Sequence, residues 1–143
     1  MRNPALERLE PLVGTWDVTL TNAWFLESMD VEQHGHAVVR WLGDAFLELT
    51  ADMEGERTWH FVFGRSDVND RSVVLYHDPR PASRVFELVD EDGAWVLHRE
   101  DPDMHQRFVL RLVGHDRIEA HTDASDDGGQ TWRKDFDLIF ERR

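Results

Sequence analysis

Apolar and polar side chains alternate with a period of two residues from Gly14 almost to the end of the chain. This alternation is typical of β-strands that bury one face and expose the other. After Gly14, no helical pattern is long enough to connect two parallel strands. The pattern therefore predicts antiparallel strands, each paired with the next along the chain.

The segment before the first predicted strand has a helical pattern instead. Asn3 can cap a helix, and Pro4 suits the first helical position. Leucines then recur at three-residue spacing, at Leu6, Leu9 and Leu12. We expect one short N-terminal helix here.

Turn-forming residues divide the rest of the chain into about ten predicted strands. These strands are Thr15 to Phe25, Gly35 to Leu42, Ala45 to Met53, Thr58 to Ser66, Ser72 to His77, Ser83 to Val89, Ala94 to Glu100, His105 to Val113, Arg117 to Asp123, and Gln130 to Arg142. The two architectures that fit are a sandwich and a barrel. An open sheet would leave two long edges able to pair with other chains, and closure removes both. We therefore predict an all-β fold, a closed antiparallel up-and-down barrel forming one domain over residues 1–143.

Composition limits the possible partners and the compartment. The formal net charge of −13 makes nucleic acid and anionic membrane surfaces poor candidates. The absence of cysteine excludes disulfides and thiolate chemistry and fits a reducing compartment. No signal peptide or spanning helix is evident, so we expect a cytoplasmic protein. Six Trp and eight Phe are many for 143 residues, and aromatic rings line cores and ligand cavities.

Both ends of the chain carry recognisable patterns. The run from Leu9 to Trp16, with its Gly-x-Trp, resembles the opening of lipocalins, fatty-acid-binding proteins and nitrobindins. The run from Ser125 to Trp132 matches the Ser-x-Asp-x-Gly-x-Thr-Trp box of sialidases, but a single copy indicates a hairpin turn. In that turn Asp127 accepts backbone hydrogen bonds and the Trp packs in the core. Together the two ends resemble a bacterial family of lipocalin-like (calycin) domains of unknown function, which implies a barrel but no activity.

Two departures from the similar families limit what the resemblance implies. The segment Leu26 to His34 is too short for the pair of helices that fatty-acid-binding proteins insert. Nitrobindins bind haem through a His near the C-terminus, and Gln130 to Arg143 contains no His. We therefore expect no cofactor. We also expect no metal site, because the eight His show no convergent set of ligands.

Candidate ligand-binding residues come from the aromatic faces and from polar residues that interrupt apolar ones. The aromatic candidates for a cavity wall are Trp24, Trp59, Phe61, Phe63, Tyr76 and Trp132. The polar candidates are His36, Arg40, His98 and His121, of which Arg40 or His36 suits an anchor for a ligand carboxylate. A packed core explains the aromatic residues equally well, and an outward register explains the polar ones, because a shift of one residue exchanges the two faces.

The sequence supports binding of a small apolar or amphipathic molecule inside the barrel, since barrels of eight or more strands leave room for one ligand. The alternatives are an isomerase, cyclase or lyase with an inward His as acid/base, and a haem-binding, nitrobindin-like protein. A structural or interaction module is also open, with a homodimer formed through an exposed strand face.

Overall fold

The computed structural model describes residues 2–55 and 57–143, and these residues form a closed antiparallel barrel of ten strands. The strands are β1 (Gly14–Thr21), β2 (Gln33–Leu42), β3 (Phe46–Met53), β4 (Arg57–Arg65), β5 (Ser72–Asp78), β6 (Ala82–Glu91), β7 (Ala94–Asp101), β8 (Met104–Val113), β9 (Arg117–Ser125) and β10 (Arg133–Arg142). Each strand pairs with its neighbours along the chain, and β1 pairs with β10. The predicted closed up-and-down barrel is confirmed.

The N-terminal helix closes one end of the barrel. It is a 3₁₀ helix, Pro4–Leu12, and the side chain of Asn3 caps it by accepting a hydrogen bond from the backbone N–H of Ala5 at 3.1 Å. Its three leucines are buried in the core. The indole N–H of Trp16 donates to the carbonyl of Leu12 at 2.9 Å, so the helix and β1 are joined directly beneath the barrel.

The junction between the helix and β1 requires a glycine. Gly14 has a φ of 143°, a conformation that residues with a side chain rarely adopt. Arg142, on β10, covers this junction with its guanidinium 4.1 Å from the ring centre of Trp16 and donates to the carbonyl of Val13 at 2.9 Å. This end of the barrel is therefore packed shut.

Two predicted strands were too long at the opposite end of the barrel. β1 ends at Thr21 and not at Phe25, because Asn22 adopts a left-handed φ of 53°. Trp24 consequently lies in the connection between β1 and β2. The last strand begins at Arg133, not at Gln130.

A β-bulge between Lys134 and Phe136 resets the alternation in β10. Asp135 and Phe136, although adjacent, are both buried. Trp132 therefore does not continue the inward row of Phe136 and Phe140, and it is 46% exposed. The predicted packing of Trp132 in the core was wrong for this reason.

Side chains at alternate positions of the strands fill the centre of the barrel, where the buried hydrophobic residues form one continuous cluster with the leucines of the helix. Within residues 2–55 and 57–143, no helix has both the length and the apolar character needed to cross a membrane.

Candidate ligand cavity

The barrel is hollow at the end away from the helix. A cavity of about 560 Å³ is lined by residues of the connections β1–β2, β3–β4 and β5–β6 and by the first residues of β8 and β10, which all lie at this end. Cavities that bind small organic molecules span roughly 300–1,000 Å³. The observed space is therefore large enough for one such molecule.

Aromatic rings form the walls of the cavity. Trp59 on β4 stacks on Phe136 of β10, with ring centres 6.0 Å apart and planes inclined by 29°. Phe108 on β8 meets both Phe136 and Phe61 edge to face, at 5.7 and 6.0 Å. Deeper in the barrel lies a second, wholly apolar space of about 30 Å³, which shares Trp59, Phe61 and Phe108 with the larger one. The cavity thus narrows into the packed core.

The connection between β1 and β2 lies against the mouth. Its Trp24 donates the indole N–H to Asp135 at 2.8 Å. The next residue, Phe25, packs edge to face on Phe136 at 5.9 Å, and the guanidinium of Arg57 lies 4.9 Å from its ring centre. This segment, residues 22–32, therefore contributes two aromatic side chains to the cavity wall.

A chain of hydrogen bonds crosses one side of the cavity. Arg84 of β6 donates through Nη1 to Oε1 of Gln106 on β8 at 3.2 Å, and Gln106 donates through Nε2 to Asp135 at 2.9 Å. Gln106 is 3% exposed and Asp135 is 8% exposed. The side-chain amide of Gln106 is fixed in one orientation, because its oxygen must face the donor Arg84 and its NH₂ group must face the acceptor Asp135. The bulge in β10 is what turns Asp135 into this network.

A second polar group lies where β5 ends. The hydroxyl of Tyr76 donates to Asp78 at 2.5 Å, and the guanidinium of Arg80 donates to the same carboxylate at 2.6 Å. The hydrogen bonds from Arg80 hold the pKa of Asp78 well below its usual range, against the opposing effect of burial. Burial, and then the bond to Asp78, raise the pKa of Tyr76 well above its usual value. Tyr76 is therefore a neutral phenol whose proton points at Asp78.

The structure brings four of the sequence-derived wall residues to the main cavity and a fifth to the deeper space. Those lining the main cavity are Trp24, Trp59, Phe61 and Tyr76. Phe63 lines the deeper space, which Trp59 and Phe61 share.

The remaining candidates lie outside both cavities. They are His36, Arg40, His98, His121 and Trp132. The four polar ones occupy the outward-facing positions of their strands, one of the two registers that the sequence left open. On the outer surface His36 lies 3.0 Å from Asp17, Arg40 donates to Glu48 at 2.7 Å, and His121 lies 2.9 Å from Asp137. A polar contact of a surface side chain with a neighbouring carboxylate is an ordinary feature of a protein's outer face.

None of the eight His lines either cavity of the described chain. An inward imidazole for acid–base chemistry is therefore missing from the interior. A haem ligated by histidine does not fit the residues present either. Tyr76, the phenol in the cavity, is held protonated because burial and Asp78 raise its pKa, which does not suit it as an iron ligand.

Sequence reasoning missed the polar residues of the cavity. Arg84 and Gln106 fall on inward positions of strands whose other inward residues are apolar, and nothing in their spacing sets them apart. Asp135 faces inward only because of a bulge that has no pattern in the sequence. The sequence Asp78-Pro79 at the end of β5 predicted a turn. It did not predict that the side chain of Asp78 lines the cavity.

No protein-family model matches the sequence, and a search of curated proteins found no match. Among solved structures, the crystal structure of Rv2717c from M. tuberculosis is similar with a TM-score of 0.66, 14% sequence identity, and coverage of 100% of this chain and 99% of that chain. A likeness at this identity shows the fold alone.

Two further similar structures have lower TM-scores. A de novo designed fluorescence-activating β-barrel has a TM-score of 0.47 and 12% identity, covering 94% of this chain and 95% of that chain. EF1p2_mFAP2b bound to DFHBI has a TM-score of 0.46 and 12% identity, covering 94% of this chain and 96% of that chain. Likeness at this level carries no argument about function.

Proposed function

We propose that this protein binds one small apolar or amphipathic molecule in the cavity at the open end of its barrel. The observation that carries the proposal is a space of about 560 Å³ with aromatic walls and a polar side. The N-terminal helix followed by Gly14 and Trp16 supports placing the chain among lipocalin-like barrels. The lack of cysteine in the chain supports a cytoplasmic location.

The water that such a cavity holds favours ligand binding. At about 30 Å³ per molecule, a space of this size holds on the order of twenty waters. Many of these waters face Phe61, Phe108 and Phe136, which offer them no strong hydrogen bonds. Replacing poorly ordered water by an apolar group gains affinity. The walls therefore favour a ligand with a substantial apolar body.

The polar side of the cavity supplies orientation. Gln106, Asp135 and Tyr76 already satisfy one another or their neighbours, so they present a fixed arrangement of donors and acceptors. A few well-placed polar groups in a mainly apolar cavity are what fix the orientation of a ligand. This division favours an amphipathic ligand over a pure hydrocarbon.

A panel of lipids and aromatic metabolites tests the proposal. Each compound is added to the purified protein while the melting temperature and the Trp fluorescence are followed. A ligand of the native state raises the melting temperature by mass action. Binding next to Trp59 and Trp24 is expected to change the fluorescence at the same concentrations.

Two variants on β10 make the test specific for the cavity. Leu138 points into the cavity, and its neighbour Ile139 points away from it. Leu138→Trp is expected to fill part of the space and to weaken binding of any compound found by about tenfold or more, while Ile139→Trp leaves it unchanged. The proposal fails if no compound in the panel shifts the melting temperature, or if both variants bind as tightly as the original protein.

A further inference from the structure

The cavity carries a charge opposite to that of the whole protein. Four arginines line it, and its carboxylates are Asp78 and Asp135. Four cations against two anions leave a formal surplus of two positive charges, in a chain whose net charge is −13. Such a local reversal of sign attracts anions.

Two of the four arginines are already neutralised. Arg80 is bonded to Asp78, and Arg133 pairs with Asp126 at 2.5 Å. The guanidinium groups of Arg80 and Arg133 therefore each have a carboxylate partner already.

Arg84 and Arg57 have no carboxylate partner among the described residues. Arg57 lies over the ring of Phe25 at the mouth. Arg84 is half-buried and makes one hydrogen bond within the described chain, from Nη1 to the neutral amide of Gln106. With Asp126 counted as the partner of Arg133, Arg57 and Arg84 stand against the one remaining carboxylate, Asp135, and carry a surplus of one positive charge.

The free edge of Arg84 has the shape of a carboxylate site. Its bond to Gln106 uses Nη1, which leaves the edge formed by Nε–H and Nη2–H without a partner in residues 2–55 and 57–143. Two parallel N–H groups on one edge of a guanidinium match the two oxygens of a carboxylate. Gln106, fixed by Asp135, holds the guanidinium in place.

We propose that the ligand of this cavity is an aromatic carboxylate, bound through its carboxylate to the free edge of Arg84. The inference rests on the proposed function and adds the chemical class of the ligand. Its ring system lies against Trp59, Phe108 and Phe136, whose flat faces and edges suit a planar molecule better than a flexible chain. Arg57 adds positive charge at the mouth.

Matched probes test the ligand class. 1-Pyrenecarboxylate and the neutral 1-pyrenemethanol share one planar ring system and differ in charge. Their dissociation constants are measured by fluorescence titration with the full-length protein. The carboxylate is expected to bind at least about tenfold more tightly, which is the range for hydrogen bonds to a charged group.

Two arginine variants locate the effect. Arg84→Met is expected to remove the preference for the carboxylate, so that the dissociation constants of the two probes lie within about twofold of each other. Arg111→Met changes the net charge equally, but Arg111 lies on the outer face of β8 and bonds the carbonyl of Asp92, so the preference is expected to persist. The melting temperature of each variant confirms that it is folded.

The outcomes separate this inference from the proposed function. If both probes bind equally well to the original protein, the cavity binds molecules but the carboxylate assignment is overturned, whether or not Arg84→Met folds. If the preference survives in Arg84→Met, or disappears in Arg111→Met, Arg84 is not the anchor. If neither these probes nor any compound of the wider panel binds, the proposed function itself fails.

Discussion

Asp78 illustrates how one buried side chain organises the rim of the cavity. Its side chain is 4% exposed and accepts hydrogen bonds from the hydroxyl of Tyr76 and from the backbone and guanidinium of Arg80. These bonds tie the end of β5 to the turn that follows it. Tyr76 is thereby fixed beside Arg84, its cross-strand neighbour on β6.

Replacing Asp78 by Asn tests this arrangement through its dependence on pH. Because the bonds from Arg80 hold the pKa of Asp78 below that of the unfolded chain, the ionised form stabilises the fold above the unfolded pKa of about 3.9. That stabilisation is lost as the pH falls through the folded pKa. At pH 7, Asp78→Asn is expected to lower the free energy of unfolding by about 1–2 kcal/mol, allowing for the exposed Arg80.

Urea unfolding at pH 7 and at pH 3 measures the effect. The difference in free energy of unfolding between the original protein and Asp78→Asn is expected to be smaller at pH 3 than at pH 7. Asp67→Asn, at an exposed carboxylate with no described partner, is the control and is expected to change neither value. A difference that stays the same at both pH values would contradict the account of Asp78.

At the same scale, the sequence predicted the apolar side of the cavity better than its polar side. Alternation in β4 placed Trp59, Phe61 and Phe63 on one face, and all three point inward. For a polar residue such as His98 or Arg84, alternation alone gives no direction, because both the outer surface and a hydrated cavity accept it. Only the register of the closed barrel decides between the two.

At the scale of elements, the 3₁₀ helix is the plug of the barrel. Leu6 and Leu9 are fully buried, and Leu12 accepts the hydrogen bond from Trp16. A helix of nine residues is too short to be stable alone, so its packing against the strands must hold it in place. The sequence predicted this element from its cap and leucine spacing.

Truncating one leucine measures what the plug contributes. Leu9→Ala is expected to lower the free energy of unfolding by about 2–5 kcal/mol, because it leaves a void in a closed core. Glu7→Ala, at an exposed position of the same helix, is expected to change it by less than about 0.5 kcal/mol. Urea denaturation followed by Trp fluorescence gives both values. If Leu9→Ala lowers the free energy of unfolding no more than Glu7→Ala does, the helix does not seal the barrel.

The connection between β9 and β10 was predicted from the sequence as a turn, but the position of its Trp132 was not. Its Ser-x-Asp-x-Gly-x-Thr-Trp pattern correctly predicted a turn organised by Asp127, which accepts from the backbone N–H of Thr131 at 2.9 Å. The pattern did not predict that Trp132 would bond the carbonyl of Gly129 and remain half-exposed. The cause is the bulge that follows, a feature of strand pairing rather than of local sequence.

At the scale of the whole molecule, the two ends of the barrel differ in how they are filled. The end beneath the helix is packed with leucines and Trp16, whereas the opposite end encloses the cavity and carries the positive charge. The whole chain has a net charge of −13, so the excess of negative charge lies elsewhere on the surface. Closure of ten strands was predictable from the number of strands and turns, but which end would be hollow was not, because it depends on how the side chains pack.

A crystal structure of the protein with 1-pyrenecarboxylate tests the central claim most directly. The account predicts one probe molecule inside the barrel, its rings against Trp59 and Phe108 and its carboxylate within hydrogen-bond distance of Arg84. Rings collapsed into the cavity so that no probe fits, or a probe bound only on the outer face of the strands, would contradict it.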